Sequence, residues 1–186
     1  MTFRVLTVCT GNVCRSPMAE RLLRAGLGDG VEVTSAGTGA LVGEPMTAPT
    51  RALVTRHGGD AERHAARQLT PELVAGADLV LAMTRRHRGA VLTTLPRAAH
   101  VTFTLREAAR LASAVDPASL PQGPCEARLR AALPALRAAR GHLPPPDPAD
   151  DDVPDPYRRP DAVYEAMAAV LVPAVDAIVA LASPPD

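Results

Sequence analysis

The most informative stretch of this chain runs from Val5 to Glu20 and reads VLTVCTGNVCRSPMAE. Its first residues are apolar and β-branched, which is typical of a buried strand in a parallel sheet. Its last residues predict the start of a helix, with Ser16 as the N-cap, Pro17 at the first helical position and Glu20 in the first turn. The segment between them, Cys9 to Arg15, is therefore expected to be a tight loop that joins a strand to a helix.

The predicted loop has the residues that an oxyanion site needs. Its backbone N–H groups would turn inward and, with the dipole of the following helix, bind a tetrahedral oxyanion. Cys9 would lie at the bottom of this cradle, where the positive field favours the thiolate, the nucleophilic form. Gly11 and Asn12 tolerate the left-handed backbone that such a loop is expected to require. The guanidinium of Arg15 fits two phosphate oxygens at once, and the Ser16 hydroxyl is placed to donate to the Cys9 sulfur.

These residues resemble the signature of the low-molecular-weight protein-tyrosine phosphatase family, C-x-G-N-x-C-R-S-P. A cysteine five residues before an arginine is common by chance, but here every fixed position of the longer string is matched, between a predicted strand and a predicted helix. The resemblance implies an enzyme that hydrolyses phosphate monoesters, chiefly protein phosphotyrosine, through a cysteinyl-phosphate intermediate. It also implies a phosphate-binding loop that comprises Thr10, Gly11, Asn12, Val13, Cys14 and Ser16, beside the catalytic Cys9 and Arg15.

Three further segments resemble the same family and add candidate site residues. The string SAGT contains Ser35, which is implied to buttress the loop, and the string HAARQ contains His64, which is implied to support it from behind. The string DPY contains Asp155, the implied general acid. Pro156 would hold Asp155 in an extended backbone, which presents the carboxyl group rigidly. In the family, aromatic residues form a wall for the substrate ring. Here only Tyr157 is aromatic, while Leu41 takes the place of a second aromatic residue.

The order of elements predicts an α/β fold, with a four-stranded parallel twisted sheet, helices on both faces and the phosphate-binding loop after the first strand. Strands are expected at residues 4–8, 31–35, 78–83 and 100–103. The length fits one domain, 1–186, with a helical insert at about residues 105–141. Cys125 lies in this insert and is interpreted as an inert helical thiol.

Composition narrows the class of protein. Net charge is zero, so a nucleic-acid partner has no electrostatic support. Three cysteines are too few for a disulfide scaffold, and no signal peptide is expected before the first strand. The apolar segment 162–182 contains Glu165 and Asp176, which argues against a membrane span. A cytoplasmic protein is expected, with no cofactor, no metal, a phosphorylated protein or a small aryl phosphate as partner, and inorganic phosphate or other oxyanions as inhibitors.

Other polar residues receive structural interpretations. Thr84 follows the third strand where the family usually has an acid. His87 lies among three arginines and is interpreted as part of a solvated helix face. The acidic residues of the segment 142–155 are expected to keep a mobile loop in water, although a metal site at residues 150–152 is an alternative. Cys14 is either packing or a thiol that traps oxidised Cys9 as a disulfide.

Two other functions remain open at this point. An arsenate reductase shares this loop, since arsenate mimics phosphate, and a version that uses an external small thiol fits a chain with only Cys125 beyond the loop. The resemblance to a phosphatase is better supported by Asp155, because arsenate has no phenolate to protonate. The other alternative is a non-catalytic phosphate-binding regulatory module.

Overall fold

A computed structural model describes residues 2–184 and contains one four-stranded parallel sheet. The strands are β1 (Phe3–Cys9), β2 (Val31–Gly37), β3 (Leu79–Ala82) and β4 (Thr102–Thr104). Their spatial order is β2-β1-β3-β4, and all three neighbouring pairs are parallel. The predicted fold class is confirmed, with strand ends that differ from the prediction by one or two residues.

Within the described residues, seven α-helices connect and cover the strands. They are α1 (Arg15–Leu27), α2 (Ala48–Arg56), α3 (Pro71–Ala75), α4 (Arg85–Thr94), α5 (Leu105–Ala112), α6 (Cys125–Ala139) and α7 (Asp161–Ala182). The same part of the chain has three short 3-10 helices, at Pro96–His100, Pro117–Ser119 and Pro148–Asp151.

The sheet has helices on both faces, as the sequence predicts. Alternate residues of β1 point to opposite faces, so that Val5 belongs to one apolar cluster and Leu6 to the other. The larger cluster includes buried residues of α1, α2, α5, α6 and α7. The smaller cluster includes Val74 of α3 and Val91 of α4.

The carboxyl ends of β1, β2 and β3 lie side by side. Cys9 at the end of β1 pairs in register with Gly37 at the end of β2, and Val8 pairs with Ala82 of β3. This edge is where α/β proteins commonly bind ligands, because the loops that follow the strands converge there. The loop between β1 and α1 therefore lies among the segments that follow β2 and β3.

The start of α1 differs from the sequence prediction. The helix begins at Arg15 with Cys14 at the N-cap position, and no side chain caps it. The predicted N-cap, Ser16, is inside the helix, and its hydroxyl instead meets the Cys9 sulfur. Glu20 lies beyond the first turn and is buried. The capping pattern of the sequence predicted the wrong start for α1, because the tight loop before the helix, and not a capping side chain, determines where the helix begins.

The C-terminal helix α7 is long and apolar enough to cross a membrane by length and composition alone. A buried helix of a soluble protein meets the same criteria, and α7 packs on α1, α2, α5 and α6. Helices α5 and α6 occupy most of the segment 105–141, and both contribute to the main core. The description of this segment as an insert in a single domain stays a prediction.

Candidate active site

The loop between β1 and α1 turns its carbonyl groups outward. The carbonyl oxygens of Cys9, Thr10, Gly11 and Val13 accept hydrogen bonds from backbone N–H groups of the segment 38–47. These bonds hold the loop from outside, so its N–H groups are left to face the interior of the cradle.

Asn12 allows the loop to turn. Its φ is 57°, in the left-handed region that asparagine tolerates better than most residues. Gly11, which the sequence also predicts to be left-handed, has no positive φ. The turn therefore needs one left-handed residue, and that residue is also the centre of the hydrogen bonds behind the loop.

The side chain of Asn12 is fully buried and satisfied. Its Nδ2 donates to Ser16 Oγ at 2.9 Å and to Ser35 Oγ at 2.8 Å, and its Oδ1 accepts from the Arg67 N–H at 2.9 Å. Its carbonyl oxygen is 2.7 Å from His64 Nε2. Ser35 and His64 therefore both contact Asn12 behind the loop, and the supporting roles that the resemblance implies for them stay a prediction.

A buried carboxylate completes this support, and sequence reasoning did not assign it. Ser35 Oγ donates to Glu20 Oε2 at 2.5 Å, while Arg24 donates to Glu20 Oε1 at 2.8 Å. Since the Ser35 hydroxyl hydrogen goes to Glu20, its oxygen is free to accept from Asn12. A buried acid on α1 opposite a serine of β2 could be found only once the two elements were placed in contact.

Two donors face the sulfur of Cys9, which is 2% exposed. The Asn12 N–H donates to Sγ at 3.3 Å, and Ser16 Oγ lies 3.0 Å from Sγ. Because Ser16 Oγ already accepts from Asn12 Nδ2, its own hydrogen is available for the sulfur. Both contacts stabilise negative charge on Cys9 Sγ.

Arg15 is the cationic group of the cradle. It is 4% exposed, and its Nη1 donates to the Val153 carbonyl at 3.4 Å. Its Nη2 lies 2.8 Å from Asp155 Oδ2. Its buried Nε has no acceptor among residues 2–184. A buried N–H without a partner is costly, so this atom marks where an oxyanion would bind.

Asp155 reaches the cradle from the other end of the chain. Its carboxylate is 55% exposed, pairs with Arg15 and accepts the Tyr157 N–H at 3.2 Å. This places the carboxyl group at the mouth of the loop.

The segment that carries Asp155 is anchored, contrary to the expectation of a mobile acidic loop. Asp151 pairs with Arg110 of α5 at 2.8 Å, and Asp152 accepts from the Arg85 N–H at 2.8 Å. The Val153 N–H donates to the Met83 carbonyl at 2.8 Å, just after β3. The sequence suggests that Asp151 and Asp152 only keep the loop in water, but in the structure they attach the acidic segment to α5 and α4.

A cleft of about 180 Å³ opens above the cradle. Cys9, Thr10, Gly11, Val13, Cys14, Arg15, Gly39, Leu41, Asp155 and Tyr157 line it. Leu41 and Tyr157 are partly exposed and supply apolar walls, and the guanidinium of Arg158 lies 5.2 Å from the centre of the Tyr157 ring. The cleft combines a nucleophile, a cation, a carboxylate and an apolar entrance.

Residues 4–117 match the family described as "Low molecular weight phosphotyrosine protein phosphatase". The chain belongs to this family. It is 47% identical over 92 residues to the low molecular weight protein-tyrosine-phosphatase Etp of Escherichia coli K12, a match that covers 50% of this chain and 62% of Etp. The chain thus spans less than two thirds of that relative.

Two solved structures of the phosphatase family are similar over nearly the whole chain. The arginine phosphatase YwlE of Geobacillus stearothermophilus has a TM-score of 0.69 and 31% identity, with 96% of this chain and 91% of YwlE covered. Wzb of Vibrio vulnificus, in complex with benzylphosphonate, has a TM-score of 0.69 and 25% identity, with 97% and 99% covered. The matched family segment ends before Asp155, so the position of this acid rests on the geometry described above.

His87 is buried against the phosphate-binding loop, so its interpretation as a residue of a solvated face was wrong. It is 4% exposed, with Nε2 at 2.8 Å from Thr10 Oγ1 and Nδ1 at 2.9 Å from Thr84 Oγ1. Thr84, which replaces the usual acid of the family, caps α4. The three arginines beside His87 in the sequence concealed its burial, since only packing across the sheet brings it to Thr10.

Burial, and then the positive charge of Arg15, lower the pKa of His87 from 6.5 to about 4. The folded protein holds the ring neutral, so the unfolded chain takes up the proton first as pH falls. Folding stability is unaffected by this group above its unfolded pKa. It falls by about 1.4 kcal/mol per pH unit below that value, until the folded pKa is reached.

We expect the replacement His87→Gln to remove this part of the pH dependence. Between about pH 7 and about pH 5 the wild type should lose about 2 kcal/mol more unfolding free energy than the variant. Urea unfolding at the two pH values measures the difference. Burial also lowers the pKa of His64, but this residue is present in both proteins, so its contribution to the pH dependence cancels in the comparison. Equal losses in the two proteins would contradict the assignment.

The other two cysteines differ in environment. Burial raises the pKa of the Cys14 thiol, whose Sγ lies 3.5 Å from Thr47 Oγ1 and 4.0 Å from the Tyr164 hydroxyl. Cys125 is partly buried on α6, and all three cysteines are free. Capture of oxidised Cys9 by Cys14 stays a prediction.

The alternative of a metal site in the acidic segment finds no support. Across residues 2–184, no group of three histidine, cysteine, aspartate or glutamate side chains could hold a metal ion. Asp151 and Asp152 are engaged by arginines instead.

Proposed function

We propose that the protein hydrolyses phosphate monoesters through a cysteinyl-phosphate intermediate, with protein phosphotyrosine as its main substrate class. The observation that carries this proposal is the grouping around one cleft of the Cys9 sulfur, the buried guanidinium of Arg15 and the Asp155 carboxylate. The free Nε–H of Arg15 supplies a donor for a bound phosphate oxygen.

In the first step, the Cys9 thiolate attacks phosphorus, and the bond from phosphorus to the ester oxygen breaks. Protonated Asp155 gives its proton to that oxygen, so the leaving group departs as a neutral phenol. Arg15 and the loop N–H groups hold the three equatorial phosphoryl oxygens, over which the charge of the transition state is spread. The Ser16 hydroxyl and the Asn12 N–H stabilise the sulfur before attack.

In the second step, water attacks phosphorus and the bond from sulfur to phosphorus breaks. Asp155 now accepts a proton from the water, and inorganic phosphate leaves. The Ser16 hydroxyl donates to the departing Cys9 sulfur, which makes the thiolate a better leaving group. Because the product is itself an oxyanion, inorganic phosphate is expected to inhibit by occupying the same cradle.

The cleft supports an aryl substrate. Leu41 and Tyr157 provide apolar contact for a ring above the phosphate. The ligand of the related Wzb complex, benzylphosphonate, also carries an aromatic ring, in its benzyl group. YwlE is named an arginine phosphatase, so phosphoarginine is the competing substrate. Release of phosphate from phosphotyrosine and phosphoarginine peptides of the same sequence compares the two directly. A higher kcat/KM for the phosphoarginine peptide would overturn the substrate assignment.

We place the protein in the cytoplasm of a bacterium. The relatives compared above are bacterial, and α7 packs against four other helices, α1, α2, α5 and α6. Fractionation of cells that express the chain, with activity assayed in the soluble and membrane fractions, tests the location.

One pair of assays separates the three candidate functions. We expect the wild type to release phosphate from an aryl phosphate and not to consume a small thiol when arsenate is added. Thiol consumption with arsenate and no phosphate release would favour the reductase. Inactivity in both assays, with retained phosphate binding, would favour the non-catalytic module.

We expect Asp155→Asn to lower kcat/KM for phenyl phosphate by about 10²-fold. The reason is specific: an amide cannot protonate the leaving oxygen. The loss should therefore shrink for an aryl phosphate whose phenol is a strong acid and leaves without help. The measurement is kcat/KM for a series of aryl phosphates, plotted against the pKa of the leaving phenol, because kcat/KM reports the first step and not the later attack by water. As a matched control, Asp161→Asn at the start of α7 should change neither kcat/KM nor the slope. A loss in kcat/KM that is the same for every leaving group would contradict the role of Asp155 as general acid.

A further inference from the structure

A second cleft lies behind the phosphate-binding loop. Its volume is about 250 Å³, and its charged lining consists of four arginines and one carboxylate: Arg21, Arg24, Arg63 and Arg67, with Glu20. Ser35 and His64 also line it, and we refer to these seven residues as the arginine cleft. None of them lines the Cys9 cleft, and three of the arginines also line an adjoining groove of about 620 Å³. The chain therefore has two separate concave sites with cationic walls.

Arg21 is buried, and its Nε–H has no hydrogen-bond acceptor within the described residues. It is 8% exposed, its Nε has no hydrogen-bond partner among residues 2–184, and the nearest carboxylate oxygen, Glu20 Oε1, is 3.7 Å away. That carboxylate is already engaged by Arg24 and Ser35. A buried N–H without an acceptor is costly, and an oxyanion that reaches Arg21 Nε in the cleft would remove this cost.

The remaining charges leave the cleft positive. Arg67 uses Nε for the Ser35 carbonyl, at 2.7 Å, and Arg63 forms no ion pair within the described part of the chain. The acids of the adjoining groove, Asp60 and Glu62, pair with none of these arginines over the same residues. Several guanidinium N–H groups are thus available to one ligand.

The wall of the arginine cleft is in direct contact with the phosphate-binding loop. The Arg67 N–H, His64 Nε2 and Ser35 Oγ all bond to Asn12. The N–H of Asn12 in turn donates to the Cys9 sulfur. A ligand that shifts Arg67 or His64 would therefore act on the loop through one residue.

We propose that the arginine cleft binds the phosphate group of a small soluble phosphorylated compound, and that its occupancy changes turnover at the Cys9 cleft through Asn12. Guanidinium groups match phosphate oxygens in geometry and charge. The burial of Arg21 favours a small ligand, because only a compact group can reach its Nε. Binding at this cleft is independent of the proposed phosphatase activity, whereas the effect on turnover rests on it.

Calorimetry tests the binding, with inorganic phosphate and pyrophosphate as probes. The Arg15→Ala variant removes the main cation of the loop, so we expect it to bind one anion per chain, in the arginine cleft. This binding should weaken at least about 10-fold when Arg63→Asn is added, a change that suits the left-handed backbone of Arg63. Arg21→Gln should have the same effect, whereas Arg97→Asn on an exposed 3-10 helix should have none. No binding by Arg15→Ala, or binding insensitive to both cleft changes, would overturn the site.

Kinetics test the coupling in proteins that keep the catalytic residues. Pyrophosphate in the Cys9 cleft competes with an aryl phosphate and raises KM only, whereas pyrophosphate in the arginine cleft should change kcat by about 5-fold. We expect the change in kcat in the wild type and in Arg97→Asn, and its loss in Arg63→Asn, which keeps its basal kcat. The same kcat response in Arg63→Asn as in the wild type would overturn the coupling. An inactive wild type that still binds the second anion would contradict the proposed function and leave the site standing.

Discussion

Cys9→Ser should abolish hydrolysis of aryl phosphates, with kcat reduced on the order of 10⁶-fold, the scale observed when a nucleophile is removed from an enzyme that forms a covalent intermediate. The seryl hydroxyl keeps the size of the side chain. It does not ionise near neutral pH, however. The Asn12 N–H and the Ser16 hydroxyl, which stabilise the thiolate of Cys9, would then face a neutral hydroxyl. Steady-state release of phosphate and a single-turnover assay measure the loss.

Cys125→Ser is the matched control for this prediction. It makes the same chemical change on α6, at a partly buried thiol that does not line the cleft. The control should keep kcat within about 2-fold, as expected for a substitution remote from the reacting atoms. Retention of more than a small fraction of activity by Cys9→Ser, with the control unchanged, would exclude the cysteinyl-phosphate mechanism.

The sequence predicted the fold and the front of the site because their signals are local. A strand, a five-residue loop and a helix follow one another between Phe3 and Leu27, so their order alone places Cys9 and Arg15 together. The apolar, β-branched run of β1 predicted a buried strand of a parallel sheet for the same reason. The ends of elements were less accurate, since the loop rather than a capping side chain starts α1.

The support behind the loop was only partly visible in the sequence. Ser35 and His64 were found through a resemblance, whereas Glu20 and His87 were missed. Both missed residues are charged or titratable side chains that tertiary contacts bury, and neither has a local pattern that distinguishes it from a surface residue. Burial of such groups depends on partners elsewhere in the chain, here Ser35 for Glu20 and Thr10 for His87.

The acidic segment shows a related limit. Asp151 and Asp152 read as solvating residues of a loop, because acids next to prolines usually are. Their partners, Arg110 and Arg85, lie on α5 and α4 and can be recognised only once the sheet has brought these helices together. The consequence is functional, because the two contacts hold the backbone that delivers Asp155 to Arg15.

Arg15→Lys should lower kcat/KM for an aryl phosphate by about 10³-fold, although the charge is kept. The guanidinium of Arg15 makes three separate contacts possible: Nη2 with Asp155, Nη1 with the Val153 carbonyl and Nε with a phosphate oxygen. A lysine ammonium is one compact group and cannot span these positions. The loss of stabilisation is greatest in the transition state, where the equatorial phosphoryl oxygens lie in a plane that matches the planar guanidinium. We therefore expect kcat to fall more than KM rises.

Arg97→Lys, on an exposed 3-10 helix, is the control for the chemical change and should leave both kinetic constants as they are. A second comparison separates geometry from charge: Arg15→Ala should be only slightly worse than Arg15→Lys if the planar fork is what matters. Should lysine instead restore most of the activity lost in Arg15→Ala, the positive charge alone would be sufficient. In that case the contacts of Arg15 with Asp155 and Val153 would serve the structure of the acidic segment and not the transition state.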